Sequence, residues 1–486
     1  MFNNKLKGGI IYQIMPDRFY SYQNNVKLEE GKIKRKVWNE LPNWKPDDKG
    51  MIYNNDFFGG NLQGVIKKLP YLKSLGVTYI YLNPIFKSYS NHRYDTGDYM
   101  EVDPVLGTDD DFKQLCTEAK KLDIGIILDG VFAHTGSDSR YFNKAGNYDE
   151  IGAFNSFDSK YRNWYKFIQY PNIYHSWWAF DTLPQTNQSS IEFRNFICNE
   201  VIPKWMRLGA AGFRLDVVDE ISSQFLDEIS KAIHDRDGFV IGEVWENAAT
   251  KCAYGEFKDY FNGKRLDSVM NYIGKDAIID YIRYGTDYLK NAYNEIIYTY
   301  PKEALNNLMN IISTHDIERA ITAISMPHLC QRDRQFQYEN HDIPKENYNH
   351  AKELLKLAVV LQYFSPGVPS IYYGDEIGMS GYKDPFNRCT FDWNKQDNLT
   401  DFYKVLGQIK KENKFLSDAS FEILYYDNNY ITFKRKLEKE ELIICVNRSN
   451  NHIIEEKIKD YNIVYTNSNI VDNKVEPYCF IILKNK

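Results

Sequence analysis

Three features that often classify a protein are missing from this 486-residue sequence. No apolar run approaches the ~20 residues of a membrane-spanning helix, and residues 1–7 form no apolar leader. The seven cysteines include no Cys-x-x-Cys pair, so neither a disulfide framework nor a zinc ribbon is indicated. Basic residues number 60 against 66 acidic ones, so no basic surface is available to a phosphate backbone. We therefore expect a cytoplasmic globular protein with reduced thiols that binds neither membrane nor nucleic acid.

Short apolar segments alternate with amphipathic helical patterns over residues 9–413. The apolarity of these segments is continuous, which is typical of strands buried on both faces of a parallel sheet. Eight strands, each followed by a helix, predict a closed (β/α)8 TIM barrel, an α/β fold, rather than an open doubly wound sheet. The strand segments lie at 9–14, 77–82, 124–128, 212–215, 239–242, 266–270, 311–313 and 368–373.

The alternation also defines the domain organisation. We assign residues 1–134 and 190–413 to the barrel, and 135–189 to a loop subdomain inserted after the third strand, because this connection far exceeds the usual ~2–6 residues. Residues 20–60 form a second long excursion. Short strands after residue 413 predict a small C-terminal all-β domain, a β-sandwich, over 414–486.

Acidic residues follow three of the predicted strands. Asp216 follows the fourth strand, Glu243 the fifth and Asp316 the seventh. Any one of them alone would be read as a helix cap. Because the carboxyl ends of barrel strands converge on one site, we expect the three carboxylates to lie at one mouth of the barrel.

A metal site is the main alternative for carboxylates at a barrel mouth, but the sequence contains no His-x-His. Arg214 precedes Asp216 by two residues and shares its strand face, so its guanidinium would keep that carboxylate ionised and repel a cation. Glu243 lies between an apolar strand and Val244-Trp245, surroundings that would favour the protonated acid. One charged and one protonated carboxylate are what retaining glycoside cleavage requires.

Four segments that end predicted strands, at 129–134, 212–216, 241–245 and 313–316, resemble in order the four signature regions of the α-amylase superfamily of retaining α-glucosidic enzymes. Segments 81–86, 92–95 and 369–376 extend the resemblance over most of the barrel. The resemblance implies that Asp216 is the nucleophile, Glu243 the acid/base, and Asp316 the carboxylate that stabilises the transition state.

The resemblance also implies a set of substrate-binding residues: Tyr94, His134, Arg214, His315, Asp384 and Arg388. Tyr94 would stack on the sugar at the cleavage point, and the two histidines would hydrogen-bond to it. Asp384 and Arg388 would contact the next sugar on the non-reducing side. The ordinary alternatives are satisfied core histidines and a surface ion pair. We expect Asp129 to order the barrel mouth rather than to contact substrate.

Within the superfamily, segments 217–220, 242–245 and 266–272 are most similar to the neopullulanase, cyclomaltodextrinase and maltogenic amylase branch. This implies a retaining hydrolase of α-1,4 bonds in maltooligosaccharides, cyclodextrins or pullulan. The altered centre of segment 183–187 leaves cleavage of α-1,6 bonds open. A transglycosylase or α-1,6-glucosidase with the same residues, and an inactive sugar-binding or scaffold barrel, are the alternatives.

Two departures from this branch affect what the resemblance implies. The barrel begins near residue 9, where the branch has an N-terminal β domain that supports dimerisation, so the oligomeric state stays open. Ala133 replaces an asparagine that binds calcium in relatives. In the second calcium-binding loop of the branch, segment 21–25 is poor in acidic residues, and Asn61 is the remnant of its ligands. We therefore predict no metal ligands and no cofactor, with calcium dispensable.

Overall fold

The computed structural model describes residues 2–24, 26–328, 333–395 and 397–486. Its centre is a ring of eight parallel strands, which confirms the predicted TIM barrel. Around the ring, β1 to β6 follow one another, β8 and then β7 lie on the other side of β1, and a parallel bridge between Met270 and Met309 closes the ring. The strands are β1 (Ile11–Ile14), β2 (Tyr79–Leu82), β3 (Gly125–Gly130), β4 (Ala210–Leu215), β5 (Phe239–Gly242), β6 (Ser268–Val269), β7 (Met309–Asn310) and β8 (Val368–Tyr372).

Strand β7 ends before the segment predicted for it. The sequence predicts residues 311–313, whereas Met309 and Asn310 pair with Val368 and Pro369 of β8. Ile311 and its neighbour Ile312 are buried beyond the last paired residue, so their apolarity reflects burial rather than sheet pairing. Asp316 consequently lies on a loop beyond the strand end.

Alternate residues of the strands face the two sides of the barrel wall, as the period of two requires. Ile11, Tyr81, Ile127 and Ile241 belong to the core inside the barrel. Tyr12, Ile80, Ile126 and Val240 belong to the larger core between the strands and the surrounding helices. Both sides are apolar, which explains why the sequence segments show continuous rather than alternating hydrophobicity.

Helices cover the outside of the barrel. The helix that follows Thr108 begins with a capping box, in which Thr108 and Asp111 satisfy each other's backbone amides. The apolar spacing of residues 276–289 predicts one helix across this segment. The structure has two helices there, because Gly285 adopts a left-handed φ of 69° that ends the first. The α-helices are Pro16–Phe19, Leu62–Ser74, Asp109–Lys120, Ile191–Phe196, Ile202–Leu208, Ser223–His234, Tyr272–Tyr284, Tyr288–Thr299, Lys302–Asn307, Ala320–Ser325, Arg334–Glu339, Lys345–Phe364 and Asn398–Glu412, with a π-helical turn at Ile197–Val201.

The inserted subdomain packs beside the carboxyl end of β3. It contains a hairpin of Phe167–Gln169 and Ile173–Tyr174, and a backbone bridge joins its Gln185 to His134. In the excursion between β1 and the next barrel helix, Ile33–Lys34 pairs in parallel with Asp56–Phe57. Two further short hairpins pair Phe86–Ser88 with Thr96–Val102 and Cys252–Ala253 with Glu256–Phe257.

The C-terminal residues form a five-stranded antiparallel sheet with a two-stranded ribbon over one face. Arg435 is buried where the sheet meets the barrel and donates to the carbonyls of Phe364, Leu416 and Ala419. The sequence pattern predicts strands at 421–426, 430–435, 442–446 and 479–483, which are four of the five. It does not predict the fifth, because that strand is largely exposed. In spatial order the strands are Ser420–Tyr426, Tyr430–Leu437, Glu440–Asn447, Cys479–Asn485 and Tyr461–Thr466, and the ribbon is Ile453–Ile454 with Lys474–Val475.

In the described part of the chain, no helix combines the length and the apolar character needed to cross a bilayer. The six cysteines in that part are free thiols. Cys330, the seventh, lies outside the described residues.

Candidate active site

The predicted catalytic residues lie at the carboxyl end of the barrel. Asp216 directly follows β4, and Glu243 directly follows β5. Val217, next to Asp216, has a left-handed φ of 38°, which is strained for a β-branched residue. Because of this turn, the amide of Val217 donates to Glu243 Oε2 at 2.8 Å. The backbone conformation directly after Asp216 therefore helps to position Glu243.

Arg214 joins three carboxylates. Its Nη1 lies 2.9 Å from Asp129 Oδ1 and 2.8 Å from Asp216 Oδ1, and its Nη2 lies 2.8 Å from Glu243 Oε2. The guanidinium is 1% exposed, so these contacts are little screened by solvent. A fixed positive charge at the centre of the cluster occupies the position that a metal ion would need. In the described residues, no group of three or more His, Cys, Asp or Glu is arranged to hold a metal.

The prediction that Glu243 has apolar surroundings is wrong. The sequence places it among apolar neighbours, but its carboxylate contacts Arg214, the amide of Val217, and Trp245 Nε1 at 3.0 Å. The Trp245 ring lies flat against Tyr272, with centroids 3.9 Å apart, which fixes its N–H toward Glu243. Three hydrogen-bond donors therefore fix the position of this carboxylate.

Burial and the Arg214 charge act in opposite directions on the pKa of Asp216. Burial raises the pKa of Asp216 well above its usual range, and the carboxylates of Glu243 and Asp129 raise it further, while Arg214 opposes them. Three carboxylates around one guanidinium cannot all be ionised without strong repulsion. The Asp216 carboxyl therefore depends on the Arg214 guanidinium for its ionisation.

Asp129 orders the barrel mouth through its neighbours. Its Oδ2 accepts from the hydroxyls of Tyr81 at 2.6 Å and Tyr94 at 2.8 Å, while Oδ1 accepts from Arg214. These contacts are those of the positioning role that the sequence analysis assigns to it.

Tyr94 and His315 form a stacked pair beside this cluster. Their rings are 6° from parallel with centroids 5.3 Å apart, and Tyr94 Oη lies 2.5 Å from His315 Nε2. Gln13 lies 2.9 Å from His315 Nδ1, and Asn83 donates to Tyr94 Oη at 3.1 Å. An uncharged imidazole with its proton on Nε2 fits both neighbours.

Both histidines of the site are held uncharged. Burial lowers the pKa of His315 well below its usual value, and Arg388 and Arg214 lower it further. Burial also lowers the pKa of His134, to about 4. His134 Nε2 lies 3.1 Å from the carbonyl of Tyr94, whereas its buried Nδ1 contacts no hydrogen-bonding partner within the described residues. An unsatisfied buried ring nitrogen at a barrel mouth is suited to a ligand hydroxyl.

Asp316, Arg388 and Asp384 form a chain of charges beside His315, whose Nε2 lies 3.3 Å from Asp316 Oδ1. Arg388 Nη2 lies 3.7 Å from Asp316, Arg388 Nη1 lies 3.3 Å from Asp384, and Arg388 Nε donates to the carbonyl of His315 at 2.9 Å. Burial raises the pKa of Asp316, and Arg388 opposes this. Asp384 and Arg388 are thus connected to the site rather than forming an isolated surface pair.

Three polar residues of the site escaped the sequence analysis. Gln13 and Asn83 support His315 and Tyr94, and Trp245 contacts Glu243. Gln13 interrupts an otherwise apolar strand, which is a signal that could have identified it. The N–H of Trp245 could not have been distinguished from an apolar ring.

The residues of the possible calcium site do not fit a hard cation. The Asn24 amide donates to the carbonyls of Gly59 and Val105, each at 3.0 Å, and Lys34 Nζ contacts the Asn24 carbonyl. The Asn61 side-chain oxygen accepts from the amides of Gly64 and Tyr22. The oxygens that would bind calcium already accept hydrogen bonds, beside an ammonium group. Asn25 of segment 21–25 lies outside the described residues.

Comparisons with known proteins match most of the chain. The family model described as alpha amylase, catalytic domain, matches residues 13–422. An amylopullulanase of Thermoanaerobacterium saccharolyticum is 36% identical over 92% of this chain but only 38% of its own length, so the chain spans well under half of that relative. A cyclomaltodextrinase of Thermoanaerobacter pseudethanolicus is 32% identical over 90% of this chain and 70% of its own.

A solved structure is similar over the whole chain. It is the cyclic α-maltosyl-(1→6)-maltose hydrolase of Arthrobacter globiformis, with 25% identity, a TM-score of 0.80 and complete coverage of both chains.

Proposed function

This chain belongs to the α-amylase family, and from that membership and the geometry of the site we propose that it is a retaining α-glucan hydrolase. Its substrates are maltooligosaccharides, cyclodextrins or pullulan, and it cleaves their α-1,4 bonds. The observation that carries the proposal is the placement of Asp216 and Glu243 on one guanidinium, that of Arg214, at the barrel mouth. We place the enzyme in the cytoplasm, consistent with free thiols at its six described cysteines.

In the first step Glu243 donates its proton to the glycosidic oxygen, while Asp216 attacks the anomeric carbon. The bond from that carbon to the leaving oxygen breaks, and a covalent glycosyl–enzyme forms. In the second step Glu243 removes a proton from water, which attacks the anomeric carbon and releases Asp216.

The remaining residues bind and orient the sugar in this proposal. The Tyr94 ring stacks on the sugar at the cleavage point, and the unsatisfied Nδ1 of His134 hydrogen-bonds to one of its hydroxyls. Asp316 accepts from ring hydroxyls as the oxocarbenium-like state develops. Asp384 and Arg388 contact the next sugar on the non-reducing side.

Cleavage of α-1,6 bonds is the second candidate activity. The cyclic α-maltosyl-(1→6)-maltose hydrolase is named for a substrate that includes this linkage. Transglycosylation by the same residues differs only in the acceptor that attacks the intermediate. Chromatography of the products from maltotriose, panose and β-cyclodextrin distinguishes these activities, and lack of any product with retained sugar binding would indicate an inactive binding protein.

Two substrates test the assigned roles. An aryl α-maltoside with an acidic phenol needs no proton donor, whereas maltotriose does. We expect Glu243→Gln to lose roughly 10³-fold in kcat on maltotriose, yet to release a burst of phenol from the aryl substrate. Asp216→Asn should be inactive on both substrates. The control is Asp181→Asn, an exposed carboxyl on the inserted subdomain. Near-native activity of either site variant on maltotriose would contradict the assignment.

A further inference from the structure

The loop that carries His315 and Asp316 lies beyond the paired part of the barrel sheet. Strand β7 ends at Asn310, and residues 311–318 form neither strand nor helix. Buried backbone carbonyls outside regular structure need donors from other parts of the chain. The position of this loop therefore depends on the side chains that reach its carbonyls.

Asn387 supplies the donor for three of these carbonyls. Its Nδ2 lies 3.3 Å from the carbonyl oxygen of Thr314, 2.8 Å from that of His315 and 2.9 Å from that of Ile317. An –NH2 group, and not an amide oxygen, can face three carbonyls, which fixes the orientation of the side chain. Asn387 is 0% exposed, so these hydrogen bonds lie in a region of low dielectric, where they are strong.

The turn that contains Asn387 is itself attached to the barrel. This 3-10 turn, Phe386–Arg388, follows β8. The hydroxyl of Tyr372, the last residue of β8, donates to the Asn387 carbonyl at 3.2 Å. Arg18, in the helix after β1, donates to the Arg388 carbonyl at 3.1 Å. Both donors are buried, so the turn provides a fixed support for the neighbouring loop.

Asp316 lies between the two residues whose carbonyls are closest to Asn387 Nδ2, His315 and Ile317. The His315 carbonyl also accepts from Arg388 Nε at 2.9 Å. The backbone on both sides of Asp316 is thus bound to one turn, and the same turn carries Arg388, whose Nη2 lies 3.7 Å from the Asp316 carboxylate.

We propose that Asn387 is a positioning residue that fixes Asp316 relative to Arg388 without touching the sugar. The inference rests on the proposed function, in which Asp316 stabilises the transition state. An interaction that strengthens in the transition state affects kcat more than KM. Loss of the Asn387 amide should therefore lower kcat, because the loop can shift and Asp316 then no longer meets the developing charge.

Two variants remove the donor in different ways. Asn387→Leu replaces the amide with an apolar group, and Asn387→Asp keeps its shape but turns oxygens toward the three carbonyls. For either variant that folds, we expect kcat on maltotriose to fall about 10- to 50-fold while KM stays within about threefold. The matched control is Asn447→Leu, because Asn447 is a buried asparagine of the C-terminal sheet whose Nδ2 donates to two carbonyls. Its kcat should stay within about twofold of the native value.

A double-mutant cycle shows whether Asn387 acts through Asp316. In an Asp316→Asn background, measured on an aryl α-maltoside, the Asn387→Leu change should alter kcat by no more than about twofold, because the carboxylate that it positions is gone. A general structural effect would instead multiply the two losses. Multiplied losses, or native kcat in the Asn387 variants, would overturn the inference and leave the hydrolase assignment intact.

Hydrogen exchange separates this inference from the proposed function. The backbone amides of residues 314–318 should exchange at least about tenfold faster in Asn387→Leu than in the native protein or in Asn447→Leu. Unchanged exchange in this segment would overturn the inference. Faster exchange in a protein that cleaves no α-glucan would support the hold of Asn387 on the loop and refute the hydrolase.

Discussion

Arg214 Nη2 lies 2.8 Å from Glu243 Oε2, which joins β4 to the residue that directly follows the neighbouring strand β5. The same guanidinium contacts Asp216 through its other terminal nitrogen. The separation of the two carboxyls is thereby set by one rigid, planar group on a buried strand. A reaction that needs one acid to attack and the other to protonate benefits from such fixed geometry.

Replacing Arg214 should shift the pH dependence of the reaction as well as its rate. Arg214 lowers the pKa of Asp216, so Arg214→Met should raise that pKa further and move the acid limb of the kcat/KM profile to higher pH. We also expect kcat to fall at least roughly 100-fold, because buried carboxylates lose their counter-charge. The measurement is a pH–rate profile on maltotriose. Arg214→Lys, which keeps a charge, should shift the limb less; an unmoved limb in Arg214→Met would contradict this account.

Two substitutions at Tyr94 separate the contribution of its ring from that of its hydroxyl. Tyr94→Phe retains the stacked ring but removes the contacts to Asp129 and His315, so we expect kcat/KM to fall about tenfold. Tyr94→Ala also removes the surface on which the sugar stacks, and should cost roughly 100-fold or more. Steady-state kinetics on maltotriose test both. Equal losses in the two variants would show that the ring does not bind substrate.

Stability should fall in mild acid because of the buried histidines. The unfolded chain protonates a histidine near pH 6.5, whereas burial lowers the pKa of His134 to about 4 in the folded state. The folded state is therefore favoured above pH 6.5 and loses this advantage as the pH falls toward 4. For His134 alone, the free energy of unfolding should drop by about 2 kcal/mol between pH 7 and pH 5.

Urea denaturation at both pH values tests that figure. His134→Gln removes the titrating ring, so its unfolding free energy should depend less steeply on pH by about the same 2 kcal/mol. Exposed His452, which pairs with Glu476, provides the control variant His452→Gln. An identical pH dependence in native protein and His134→Gln would refute the prediction.

Calcium should be dispensable. The Asn24 amide already donates to the carbonyls of Gly59 and Val105, so removing metal ions should alter neither the melting temperature nor the turnover. Assays in EDTA, with and without added calcium, provide the measurement. Loss of activity in the chelator that added calcium restores would contradict it.

Local sequence was sufficient to place the predicted catalytic carboxylates at the barrel mouth, since Asp216 and Glu243 directly follow apolar strands whose ends converge in any barrel. It could not predict what surrounds them. Glu243 looks apolar along the chain, but its donors include Arg214 from the adjacent strand and Val217 from a strained turn. The sequence also predicts the wrong end for β7, because Ile311 is buried without pairing to a neighbouring strand. Contacts between strands decide such features, and hydrophobic periodicity does not report them.

Arg435 couples the stability of the C-terminal sheet to that of the barrel. Its guanidinium donates to three carbonyls, one at the end of the helix Lys345–Phe364 and two in the segment that leads into the sheet. If the sheet detached, these three carbonyls would lose their hydrogen-bond donor, and the end of the helix beside β8 would be exposed. The barrel and the C-terminal sheet should accordingly unfold in one thermal transition. Proteolytic removal of the sheet should leave an inactive barrel fragment.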